Sequence, residues 1–263
     1  MQAVPLGFFL FLVELAAGGW LVTTLLDWNG EVSRGFLLLN GAFLVAFGAL
    51  GVWLRSALPA AAMVPYPVFE SWLRAEVAGW TAFVALGAGQ LLLLKTARRR
   101  AARAAGTLAA GAGLAALAVS AAAYRPPALP LLPIVLTFVG AALALGSVWS
   151  GMMLGHWYLV TPLLAPRPLL RLNAALAAVL AGQALWVGPR LVGGAGLTAE
   201  GWLFWLRAGV GIAFPLVLAY MVWRTARIRS MMSATGLLYI ALGAVLAGEI
   251  IAKSLFFLTQ TPV

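Results

Sequence analysis

The side chains capable of chemistry in this 263-residue sequence are few: seven carboxylates, seventeen Lys and Arg, one histidine and no cysteine. Two carboxylates, Glu14 and Glu249, stand inside long apolar runs, and Lys253 follows Glu249 by one helical turn. At bilayer depth an ionisable group costs about 3 kcal/mol, so each needs a partner, a proton or a wet cavity. At 1.5 Å per residue both carboxylates lie ~15 Å below the same surface. If the first and last spans are neighbours, two carboxyl groups and one ammonium share a pocket. Such a pocket can exchange protons near neutral pH, as a hydroquinone losing electrons requires. The bland alternative is a structural pair of Glu249 and Lys253 at i,i+4.

A second polar concentration runs from Pro65 to Glu76. Glu70 and Arg74 at i,i+4 predict a short interfacial helix anchored by Trp72, with Glu76 entering the next span; the stretch reads either as a plain interfacial cap or as a loop in which Ser71, Arg74 and Glu76 close the pocket. His156 and Tyr158 form a third possibility, either as part of an aromatic belt with Trp157 or as a proton relay and second polar site. Met152 and His156 share one helical face and cannot ligate a haem iron from opposite sides, and no second histidine exists. No haem is expected, and without cysteine no iron–sulfur cluster or zinc thiolate site. Arg207, beside Trp202 and Trp205, reads as a snorkelling residue.

The elements that must position these groups are membrane spans. The chain is 63% hydrophobic and 9% charged, with a mean hydropathy of +1.01. Soluble domains carry about a quarter charged residues. The reading is an all-α polytopic bundle, a single transmembrane domain over 1–263, with eight spans at about 4–26, 35–54, 76–94, 104–123, 131–155, 168–187, 202–223 and 233–258. His156 to Pro166 reads as an interfacial turn, since Pro162, Pro166 and Pro168 interrupt a helix, and Pro215 interrupts the seventh span. No alternation typical of a β-barrel is present. Met1 to Val4 supply no basic region, so the first run reads as a true span rather than a cleavable signal. Of the seventeen basic residues, eleven fall on the face opposite the termini and six on the terminal face. Both termini are therefore expected on the periplasmic side of a bacterial inner membrane. The basic rim suits anionic lipid heads, not nucleic acid. Small residues in the fourth span and the Gly151–Gly155 step predict close helix packing.

Several stretches resemble the membrane anchor subunits of dimethyl sulfoxide reductase and, more distantly, polysulfide reductase. Pro5–Gly19 resembles that family's first span with its Ala-Gly-Gly step. Ser71, Leu73 and Glu76 match a loop motif in which Arg74 replaces a serine. Ala247-Gly-Glu-Ile-Ile-Ala-Lys253 parallels the last span, with Lys253 for arginine and Phe257 for tyrosine. Where the family carries a histidine after the second span, this sequence reads Arg55-Ser-Ala-Leu-Pro59.

The resemblance implies a menaquinone- or ubiquinone-binding anchor of an anaerobic respiratory oxidoreductase. Its partners would be a ferredoxin-like iron–sulfur subunit and a molybdopterin catalytic subunit. Glu14, Ser71, Arg74, Glu76, Glu249 and Lys253 would form the quinone and proton-transfer site. A proton-coupled small-solute transporter and a purely structural assembly subunit are the rival readings.

Overall fold

The computed structural model describes residues 4–66, 68, 70–96 and 98–263. Met1 to Ala3, Pro67 and Phe69 of the stretches read above lie outside the described residues. Helices occupy almost all of the described chain, and no strand occurs among the described residues. Among them, eight helices are long and apolar enough to cross a membrane. This is a multi-pass, all-helical membrane protein.

The helices are α1 (Val4–Trp28), α2 (Arg34–Ala57), the short α3 (Ala60–Met63), α4 (Glu70–Lys95), α5 (Arg99–Ala123), α6 (Leu131–Val160), α7 (Arg167–Val192), α8 (Gly201–Ala208), α9 (Phe214–Arg227) and α10 (Met231–Thr259). A π-helical turn, Gly209–Ala213, joins α8 to α9, so one span runs from Gly201 to Arg227. Local chemistry sets the ends. Gly30 adopts φ +68 in the turn after α1, a conformation that costs glycine little. Ser33 caps α2 by accepting from the Phe36 amide at 3.2 Å. Pro59 follows the C-cap of α2, and Pro168 sits in the first turn of α7, where its missing N–H is harmless.

Two expectations are corrected here. The anticipated interfacial helix at Glu70–Arg74 is not separate: it is the first turn of α4, which runs unbroken to Lys95. The anticipated turn beginning at His156 is helix as far as Val160. The prolines that stop it, Pro162 and Pro166, come later than the polar aromatic cluster that suggested the boundary.

Contacts divide the chain into two compact units, Met1–Ala142 and Leu143–Val263, with the boundary inside α6. In the first unit α1 is packed by α2 and α5, and α4 packs on both α2 and α5. The most apolar window of α1 is 89% buried, against 28% for α4. α1 is therefore the core helix, apolar all round as a buried helix must be. Its small residues admit backbones. A Cβ on Gly18 would lie 1.7 Å from the Ala142 carbonyl oxygen. Polar groups on α1 are tied to neighbours: Asn40 Nδ2 donates to Thr23 Oγ1 at 2.9 Å, and the Thr23 hydroxyl donates to the Gly19 carbonyl at 2.6 Å. At the end of α1 the buried Asp27 carboxylate receives Arg99 at 2.7 Å and Arg103 at 3.5 Å.

In the second unit, Val187, Phe204, Ile212, Ala252, Leu255 and Val263 form a core where α7, the α8–α9 span and α10 meet. The C-terminal tail is fastened there, with Trp186 Nε1 donating to the Pro262 carbonyl at 2.9 Å. Gly155 abuts α10, since a Cβ on it would lie 2.6 Å from Thr235 Oγ1.

The α1 packing has a direct consequence. Gly18→Ala should destabilise the purified protein by about 1–3 kcal/mol, the usual cost of overpacking. Gly89→Ala, at a site where a Cβ meets nothing within 4 Å, should be neutral. Thermal or denaturant unfolding in detergent measures both.

Candidate functional site

Glu249 lies in α10, fully buried. Its Oε1 accepts from Arg207 Nη2 of α8 at 3.0 Å and from Gln183 Nε2 of α7 at 2.9 Å. Three helices thus converge on one carboxylate oxygen. Lys253 follows one turn later in α10 and is also buried. This overturns the snorkelling assignment of Arg207. A snorkelling side chain keeps its head in water, whereas Arg207 is 0% exposed and ion-paired. The contacts that hold Glu249 come from Arg207 and Gln183, across helices rather than along one.

Backbone geometry makes this possible. A Cβ on Gly248 would lie 2.3 Å from the Cα of Gly211, so α10 and the π-turn touch main chain to main chain. The same imaginary Cβ would lie 3.0 Å from Arg207 Nη1, which places the guanidinium directly over the glycine contact. The π-turn ends just before Pro215. Proline lacks the N–H that would bond four residues back and crowds that carbonyl. A widened turn accommodates the mismatch without breaking the span, and such turns recur at functional sites. Pro215 therefore does not interrupt the seventh span.

The cluster retains unused hydrogen-bonding capacity. Glu249 Oε2, Gln183 Oε1, and Arg207 Nε and Nη1 are buried and have no hydrogen-bond partner among the described residues. Two acceptors and two donors at one buried place are costly unless something meets them.

Glu76 heads a second buried network, in the first unit. Its Oε2 accepts from Arg55 Nε at 2.7 Å and from the Tyr124 hydroxyl at 2.6 Å. Ser120, which accepts from Trp80 Nε1 at 3.0 Å, lies beside the same carboxyl. The Tyr66 hydroxyl donates to the Tyr124 carbonyl at 2.7 Å. Burial pushes both tyrosine hydroxyls well above the ordinary phenol value, so they stay protonated donors. This network joins the ends of α2 and α5 to the start of α4.

Of the remaining expected site residues, some are exposed and some buried. Ser71 and Arg74 are exposed, while Glu76 is buried; two residues on a helix differ by ~200°, so Arg74 and Glu76 cannot share a face. His156 is exposed and Tyr158 is buried for the same reason, with the Tyr158 hydroxyl donating to the Ala165 carbonyl. Glu14 is fully buried in α1, in the first unit, and Glu249 belongs to the second. Sequence reasoning missed Gln183, Arg207, Arg55 and Tyr124. For Arg207 and Gln183 a usable signal existed, since each stands within an apolar span; for Arg55 and Tyr124, at helix ends, nothing distinguished them from ordinary rim residues.

Compared with protein families, curated proteins and solved structures, the chain matches none.

Removing one member of a buried ion pair costs about 3–5 kcal/mol, because a charge is left uncompensated. Arg207→Met should therefore destabilise the protein by about that much. The double variant Arg207→Met with Glu249→Gln keeps an acceptor for Gln183 and no charge, and should recover about half of the loss or more. Unfolding of the wild type, both single variants and the double gives the coupling directly.

Proposed function

We propose that this chain is a quinone-binding membrane anchor of a multi-subunit oxidoreductase in the bacterial inner membrane, with both termini on the periplasmic side. The observation that carries the reading is the incomplete hydrogen bonding at Glu249. An acceptor, Glu249 Oε2, and donors on Arg207 lie together, beside a glycine-lined backbone contact. A quinol hydroxyl donates and a quinone carbonyl accepts, so one site that serves both redox states needs both kinds of group. Oxidation of a hydroquinone releases two electrons and two protons. Glu249 is the group suited to take a proton, while Arg207 fixes the carboxylate and presents its own N–H groups to an oxygen. Lys253 adds positive charge one turn away, and Gln183 holds the carboxylate in orientation.

The electrons need another carrier. The sequence has no cysteine, so a cluster must come from elsewhere, and the resemblance described above supplies a ferredoxin-like iron–sulfur subunit and a molybdopterin catalytic subunit. The Arg55–Glu76–Tyr124 network is read as structural: Arg55 and Tyr124 both occupy Glu76 Oε2, and what is left over is a single acceptor, Glu76 Oε1, with no unused donor beside it.

Binding of a quinol analogue, followed through quenching of tryptophan fluorescence, tests this reading. Glu249→Gln should weaken binding at least tenfold, and in the assembled complex should abolish quinol-linked turnover while dye-linked activity persists. Equal affinity of wild type and variant would sink the assignment. Solute uptake by proteoliposomes containing the chain alone would favour a transporter instead.

A further inference from the structure

Trp20 and Thr24 stand one turn apart on α1 and share a face. Both line a small space inside the first unit, closed by Gly41 and Leu44 of α2 and by Gln90 and Leu91 of α4. At 1.5 Å per residue, Trp20 lies ~12 Å and Thr24 ~6 Å in from the end of α1, and Gln90 ~8 Å in from the end of α4. The space is therefore within the spans. Its three polar side chains, Trp20, Thr24 and Gln90, are buried at 3%, 7% and 5% exposure. Trp20 Nε1 is a donor with no hydrogen-bond partner among the described residues, a costly condition in hydrocarbon. Thr23, the neighbouring hydroxyl, is engaged: it donates to the Gly19 carbonyl and accepts from Asn40.

Packing keeps the protein from closing the gap itself. A Cβ on Gly87 would lie 3.1 Å from Trp20 Cη2, and one on Gly41 would lie 3.6 Å from the same atom. The benzene edge of the indole thus fits into glycine notches on α4 and α2. Phe83 meets the ring edge-on, with centroids 5.9 Å apart, so the indole is held against swinging toward another acceptor. The Gln90 head is backed by α5, since a Cβ on Gly106 would lie 2.6 Å from both its Oε1 and its Nε2.

We propose that this space binds one ordered water molecule, which accepts from Trp20 Nε1 and hydrogen-bonds the Thr24 hydroxyl and the Gln90 amide, joining α1 to α4. Size, charge and hydrogen bonding together define the occupant. The room for the centre of a water-sized sphere is about 10 Å³, close to what one water needs and too little for a larger ligand. No lining residue is charged, so nothing there neutralises an ion. An acyl chain cannot accept from an indole N–H, whereas water can. Buried waters make about three hydrogen bonds, the number that Trp20, Thr24 and Gln90 offer. This assignment is independent of the quinone reading, because its residues belong to the first unit and Glu249 to the second.

The test is a density map of the full-length protein at a resolution that shows ordered water. A peak should stand within about 3.2 Å of Trp20 Nε1 and of a polar atom of Thr24 or Gln90. Thr24→Val with Gln90→Leu removes the other partners and should abolish the peak, whereas Thr81→Val, at an exposed hydroxyl of α4, should leave it intact. In solution, the Trp20 indole N–H is identified in nitrogen-labelled spectra by its loss in Trp20→Phe. It should give a cross-peak to water in the wild type, weakened at least fivefold in the Thr24 and Gln90 double variant. An empty space in the map overturns the proposal, as does an acyl chain within it or a direct bond from Trp20 Nε1 to a protein oxygen. Survival of the peak in the double variant overturns the bridging role. If that variant fails to fold, the wild-type map and cross-peak decide the matter by themselves.

Discussion

The low-dielectric interior of the second unit can hold Glu249 only because Arg207 and Gln183 reach the same carboxylate oxygen from two other helices. Each requirement behind that arrangement is steric before it is electrostatic. The guanidinium reaches Oε1 because α10 and the π-turn approach at Gly248 and Gly211 with no side chain between them. Pro215 favours the widened turn, and that turn sets where the α8 side chains point. A methyl group at either glycine would thus act on the ion pair as surely as loss of a charge.

The two units solve the problem of buried charge in different ways. In the first, Glu76 is gripped by Arg55 and Tyr124 near helix ends, and Tyr66 braces Tyr124 in turn. The result is a joint that ties a connecting segment to three spans. In the second, the Glu249 cluster lies within the spans and keeps donors and acceptors unspent. Burial alone does not distinguish them, because Glu76 and Glu249 are both 0% exposed. The difference lies in what is left over once the protein's own partners are counted: one acceptor, Glu76 Oε1, in the first network, but both acceptors and donors in the Glu249 cluster.

The span count was legible because bilayer thickness demands a length of apolar chain that no soluble element needs. Boundaries were less so. Helices continue past the apolar runs into polar residues, as α4 does from Glu70 and α6 does through His156 to Val160. Hydropathy registers where lipid begins, whereas a helix ends where its hydrogen bonding is stopped, here by prolines and capping residues. The partners of Glu249 were not legible from spacing, since Gln183 and Arg207 are 66 and 42 residues away in sequence. Periodicity predicts neighbours on one helix, and so it offered Lys253 in place of the cross-helix contacts. Arg207 was misread because adjacent tryptophans, Trp202 and Trp205, suggested an interface, while its own face of α8 turns inward.

The central position of α1 bears on how the protein is made. It is synthesised before the helices that pack on it, and its polar groups are satisfied by residues made later: Thr23 by Asn40, and Asp27 by Arg99 and Arg103, more than seventy residues on. Until α5 has been inserted, the hub of the first unit must sit in lipid with an uncompensated carboxylate at its end. Neutralising the acid of α1 thus waits on the start of α5, the helix that also packs against it.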